Sequence, residues 1–195
     1  MTELDVDWIA ITEQIADWRT DKCEVRLEER VISNVLLSGG TSKNGHRYTE
    51  TALREAAGLY DRKPVFLDHA ANIAKPFERS TRDLAGWIAE SKLIDGRIVG
   101  QVRVLDTEAG RTLLALMSSD SPSVGMSHVI LARRNAEGTL VERIHDVISV
   151  DAVVFPATTS GFREQTENGD LASEVDNLRT ELERLVAERN EWVSR

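Results

Sequence analysis

The run Val147-Ile148-Ser149-Val150-Asp151-Ala152-Val153-Val154-Phe155 reads as a β-strand, apolar on both faces except at Ser149 and Asp151. Nine residues of that composition make a buried strand rather than a surface one. A carboxylate inside it costs several kcal/mol unless it is paired or hydrogen-bonded. Asp151 therefore requires a specific partner. Two kinds are open, an imidazole N–H or the backbone amides of a loop.

Working outward, further strands are predicted at Glu24 to Leu37, Val65 to His69, Leu84 to Leu93, Arg97 to Leu105, Val124 to Arg133 and Thr139 to His145. Asp95-Gly96 is a two-residue hairpin signal, and Asn135-Ala136-Glu137-Gly138 suits a second hairpin loop. Helices are expected from Thr49 to Tyr60 and from Thr107 to Met117, each opened by a residue that caps helix N-termini. Many strands with few helices predict an α+β domain over residues 23–157, an antiparallel β-barrel-like core, closed or nearly so, flanked by helices.

The flanks carry different patterns. Leu4, Trp8, Ile11, Ile15 and Trp18 recur at alternating four- and three-residue steps, which predicts an N-terminal amphipathic helix within residues 1–22. Residues 158–170 are polar and turn-rich, as a linker would be. Beyond them Leu171, Val175, Leu178, Leu182, Leu185 and Trp192 fall on a heptad seam, predicting a coiled-coil-like helix over residues 171–195 or an amphipathic helix folded back on the core.

Of the 195 residues, 41% are hydrophobic, enough for one sizeable core. A net charge of −9 argues against nucleic acid as the main partner. The single cysteine, Cys23, excludes an intrachain disulfide and a cysteine-rich zinc site. The N-terminal residues lack the basic and apolar regions of a secretory leader, and no run reaches the roughly 20 apolar residues of a membrane span. A soluble protein of a reducing compartment, without a cofactor, is the expectation.

Pro64-Val65-Phe66-Leu67-Asp68-His69 is an apolar strand ending in Asp-His. Strict alternation places His69 on the face of Val65 and Leu67, at a strand end where a base can meet substrate, and turns Asp68 the other way. In Ser121-Pro122-Ser123-Val124-Gly125-Met126-Ser127-His128-Val129, Ser127 is preceded two residues earlier by a glycine and can act as a nucleophile, or can be an ordinary strand serine bonded to backbone. Ser123 has the same parity and is its rival. Position 129 is valine, so no Gly-x-Ser-x-Gly elbow exists. Orienting His69 through its Nδ1–H would give Asp151 its partner, with His145 and Asp146 competing for that place. A metal hydrolase using His46, Asp68, His69 or His145 lacks any recognised ligand spacing.

Five segments in order resemble the prohead (capsid maturation) serine proteases of tailed phages, which share a fold with herpesvirus assemblin. They are Ser42-Lys43-Asn44-Gly45-His46-Arg47-Tyr48-Thr49, Pro64 to His69, Gly86-Trp87-Ile88, Val124-Gly125-Met126-Ser127 and Ser149 to Ala157. The resemblance implies His69 as general base, Ser127 as nucleophile and an acidic or histidine third member, for which Asp151 is chosen. It implies a serine endopeptidase that cuts scaffold and major capsid protein precursors, and itself, inside the immature procapsid in the host cytoplasm. A homo-oligomer is expected, with no nucleic acid or membrane partner. The alternative is a catalytically silent scaffolding or assembly protein that retains the protease fold, motivated by the two flanking amphipathic patterns.

Overall fold

A computed structural model describes residues 8–15, 19–39, 42, 45–72, 74–119 and 124–154. All of them belong to one compact unit. Its strands are β1 (Ile9–Ile15), β2 (Arg19–Arg26), β3 (Val31–Ser38), β4 (Arg47–Tyr48), β5 (Pro64–Leu67), β6 (Leu84–Ile94), β7 (Arg97–Val104), β8 (Val124–Arg134) and β9 (Leu140–Val154). The helices are α1 (Glu50–Ala56), which continues as a 3-10 turn over Ala57–Tyr60, and α2 (Glu108–Ser118).

The strands form one curled sheet in the order β1-β8-β9-β5-β6-β7-β3-β2, with β4 also paired to β9. Among the described residues it stays open, with β1 and β2 at its two edges. Most neighbours are antiparallel, but β9 runs parallel to β4 along its first half and to β5 along its second. The expected α+β class with an antiparallel barrel is corrected accordingly. The described residues are mainly sheet, the sheet is mixed and open, and among those residues the helical cover is limited to two short helices.

The N-terminal helix is also corrected. Residues 9–15 form an edge strand paired antiparallel to β8, and Arg19–Arg26 forms another strand. Ile11, Glu13 and Ile15 are all buried, a period of two. Glu13 is the reason this alternation escapes a sequence reading, because a carboxylate occupies a core-facing position and leaves the isoleucines at helix-like steps. The linker and heptad-helix predictions at 158–170 and 171–195 lie outside the described residues.

Two smaller differences are local. The predicted strand Glu24 to Leu37 is broken by a turn over residues 27–30, where Arg30 has φ 54°. The strands predicted from Thr139 to His145 and from Val147 onward form the single strand β9 as far as Val154, and at their junction the Asp146 carboxylate accepts from the Val147 N–H at 2.9 Å beside an irregularity in the β8 pairing.

The expected hairpins form at their turn residues. Asp95 and Gly96 both have positive φ, 49° and 71°, the conformation that matches the twist of the flanking β6 and β7. Each helix has a side-chain cap: Thr49 accepts from the Ala52 N–H and Thr107 from the Gly110 N–H, both at 3.0 Å. The core is continuous and runs from Ile32, Leu37 and Ile98 through Leu113 and Met117 to Met126, Ile130 and Val150. The functional consequence is positional. β9 is central, with β5 on one side and β8 on the other, so residues from all three meet at the end of the sheet where β9 finishes.

Candidate active site

Asp151 lies near the C-terminal end of β9, opposite Phe66 of β5 and Ser127 of β8. It has no exposed surface. After Leu67 the chain leaves β5, and the Asp68 N–H donates to the Ala152 carbonyl at 2.9 Å. Asp68 has φ 58°, in the left-handed region. That one residue breaks the alternation assumed from sequence, so His69 does not continue on the face of Val65 and Leu67. The imidazole turns to Asp151 instead, with Nδ1 2.9 Å from Oδ2.

The second partner of Asp151 is Arg79, from the loop between β5 and β6. Its Nη1 lies 3.1 Å from both Oδ1 and Oδ2 and 3.4 Å from Ser149 Oγ. Its Nη2 donates to the Asp68 carbonyl at 2.7 Å, and its guanidinium carbon sits 4.1 Å from the centre of the Phe66 ring. The Arg79 side chain is 8% exposed and that of His69 is 33% exposed. An acceptor-only carboxylate on Nδ1 requires the proton of a neutral imidazole to sit there, which leaves Nε2 with its lone pair on the more open side. The arrangement is a base oriented by a buried acid that is itself held by a buried cation. Sequence reasoning missed Arg79, which belongs to no periodic segment; the one available signal was that a buried carboxylate demands a cation or a set of donors.

Ser127 is directly opposite Asp151 in the β8–β9 ladder, but it has no exposed surface and its hydroxyl donates to the Glu13 carbonyl of β1 at 2.7 Å. Ser123 lies outside the described residues. The competing third members are engaged elsewhere. His145 stacks on Trp8 with ring centroids 4.6 Å apart, and Asp146 accepts from Lys63 Nζ at 2.7 Å.

The two remaining histidines are held by other partners. His128 is enclosed between the Tyr60 hydroxyl, 2.7 Å from Nδ1, and the Tyr48 hydroxyl, 3.1 Å from Nε2. Burial holds its imidazole down to about 4, so it is neutral at physiological pH. His46 Nδ1 faces the Glu13 carboxyl, while Arg134 Nη1 donates to His46 Nε2 at 3.0 Å. Burial pushes the Glu13 carboxyl above the usual range, against the smaller opposing pull of Ser42, His46 and Arg134. These contacts tie β1 and His46 to β8. Among the described residues no three His, Cys, Asp or Glu side chains gather as a metal site.

No family model and no curated protein sequence matches the chain. Among solved structures it is similar to the bacteriophage T4 capsid assembly protease, with a TM-score of 0.55 and 17% identity over 74% of this chain and 96% of that one. At that identity the likeness is one of fold.

Proposed function

We propose that the chain is a serine endopeptidase of phage capsid maturation, which cuts scaffold and capsid-protein precursors and itself inside the immature shell. The observation that carries this reading is the His69 Nδ1–Asp151 contact of 2.9 Å at the open end of the β5–β9 pair. Likeness of fold to a capsid assembly protease supports the setting. In this reading His69 Nε2 takes the serine proton as Oγ attacks the scissile carbonyl carbon. The tetrahedral adduct then collapses, breaking the C–N bond, and His69 hands its proton to the departing amine. Water repeats the cycle on the acyl-enzyme and frees the serine.

The nucleophile in this reading is Ser127 of β8 or Ser123, which precedes that strand in the sequence. The Ser127 hydroxyl is committed to Glu13 and fully buried. Parallel pairing sets Leu67 level with Ala152, and Val124 is level with Val154, so the residues that follow Leu67 and the start of β8 belong to the same end of the sheet. Ser127 lies three residues deeper, beside Asp151. The residue joined to Val124 is Ser123. These observations favour Ser123, with Ser127 as the alternative.

The experiment is precursor cleavage by the native chain and by His69→Ala, Ser123→Ala and Ser127→Ala. His69→Ala and Ser123→Ala are expected to lower turnover by roughly 10³-fold or more, while Ser127→Ala retains it. Cleavage lost in Ser127→Ala with its fold intact, and kept in Ser123→Ala, returns the nucleophile to Ser127. Full cleavage by His69→Ala sinks the protease reading.

The buried state of Ser127 also favours a second reading, a silent assembly protein that keeps the fold. Labelling by a fluorophosphonate probe separates the two, since a reactive serine is incompatible with a purely structural role.

A further inference from the structure

We propose that Arg79 is the positioning residue of the site, and that one guanidinium sets both the carboxylate and the chain turn on which the His69 ring depends. The inference rests on the serine-endopeptidase reading for its kinetic consequence, but its geometry is independent of it.

Besides Ser149 Oγ, three groups meet that side chain. Nη1 is equidistant, at 3.1 Å, from the two oxygens of Asp151, whose Oδ2 also accepts from His69. Nη2 holds the carbonyl of Asp68, the residue whose φ of 58° swings the chain from β5 into His69. The guanidinium carbon lies over the Phe66 ring, 4.1 Å from its centre, a cation–π contact that adds to its hold on the site. A left-handed aspartate is a strained conformation unless its surroundings hold it. Arg79 holds it from the carbonyl side, while the Ala152 carbonyl holds its N–H.

Neutralising the charge of Asp151 would need only a cation. The second bond, to the peptide just before His69, needs a planar fork with two separated donors. A lysine ammonium, with all its donors on one nitrogen, can reach one of these acceptors but does not present donors on two separate nitrogens. The near-complete burial of Arg79 shows that the guanidinium is built into the site rather than resting on its rim. Its function is therefore to keep the imidazole where Nε2 can meet a hydroxyl, a placement in which an error of about 1 Å costs on the order of 10²-fold in rate.

The test uses the full chain and the variants Arg79→Lys and Arg79→Met. The first readout needs no turnover. In protein labelled with ¹⁵N-histidine, the native His69 Nδ1–H is expected to give a downfield proton resonance that Asp151→Asn removes. Arg79→Lys, which retains a positive charge beside Asp151, is expected to broaden or abolish it while leaving the fold intact by circular dichroism. The second readout is precursor cleavage, in which Arg79→Lys lowers kcat roughly 10- to 100-fold with KM within about twofold. A folded Arg79→Lys that keeps both the resonance and native kcat overturns the proposal, and this variant decides if Arg79→Met does not fold. If His69→Ala cleaves normally while the resonance still depends on Arg79, the protease reading fails and the positioning inference stands. If cleavage needs His69 but the resonance is indifferent to Arg79, the positioning inference fails and the protease reading stands.

Discussion

His128 shows how a residue outside the site ties stability to pH. The unfolded chain protonates this imidazole near the ordinary value of 6.5, whereas burial between Tyr48 and Tyr60 lowers it to about 4 in the fold. Between those values the unfolded state binds more protons, so folding stability rises with pH across the window. The contribution is complete above about pH 6.5 and lost as pH falls through about 4, and it amounts to about 3 kcal/mol. Glu13 works in the other sense, because its raised carboxyl favours the fold in the protonated state and loses that advantage as pH rises. Urea unfolding at pH 7 and pH 4.5 is expected to show a smaller loss in His128→Gln than in the native chain. An equal loss would mean that His128 is not the titrating group.

Among the elements, α2 depends on two residues at its start. Thr107 caps the helix, and its replacement by alanine is expected to cost about 1 kcal/mol. Gly110 has a steric rather than a capping role. A Cβ there would collide with the Leu105 carbonyl oxygen and lie 3.1 Å from that of Ala85, so the first turn of the helix sits directly on the backbone of β6 and of the residue that follows β7. Gly110→Ala, favourable by helix propensity alone, is expected to destabilise by more than about 2 kcal/mol, because backbone has to shift. Thermal unfolding of both variants checks this. A Gly110→Ala protein as stable as the native chain would show that α2 can slide without loss.

For the molecule as a whole, the edge strand β1 is decisive. It carries Ile11 and Ile15 into the core, supplies the acceptor for Ser127 and covers the free edge of β8. Deleting residues 1–15 removes a structural strand and exposes β8, a long apolar strand with unpaired backbone groups. The expected result is an insoluble or largely unfolded chain, measured by circular dichroism and size-exclusion chromatography. An appended helix would instead be removable without harm, so a soluble, native-like truncation would restore that picture.

The residues themselves disclose the local structure. Caps, hairpin turns and apolar runs are short-range preferences of the backbone, and Thr49, Thr107, Asp95-Gly96 and the 147–154 run all act as their chemistry directs. The need of Asp151 for a partner was legible too, because burying a charge is costly in any fold. Three things were settled only by tertiary structure. One is that a core-facing Glu13 makes residues 9–15 a strand, since its acceptability depends on His46 and Arg134 from distant segments. Another is that Asp68 takes a left-handed φ and turns His69 onto Asp151, reversing the face that alternation assigns. The third is Arg79, an unpatterned loop residue whose position in the chain says nothing of the groups it joins. Each depends on long-range neighbours, and the geometry of those neighbours exists only once the strands have assembled into the sheet.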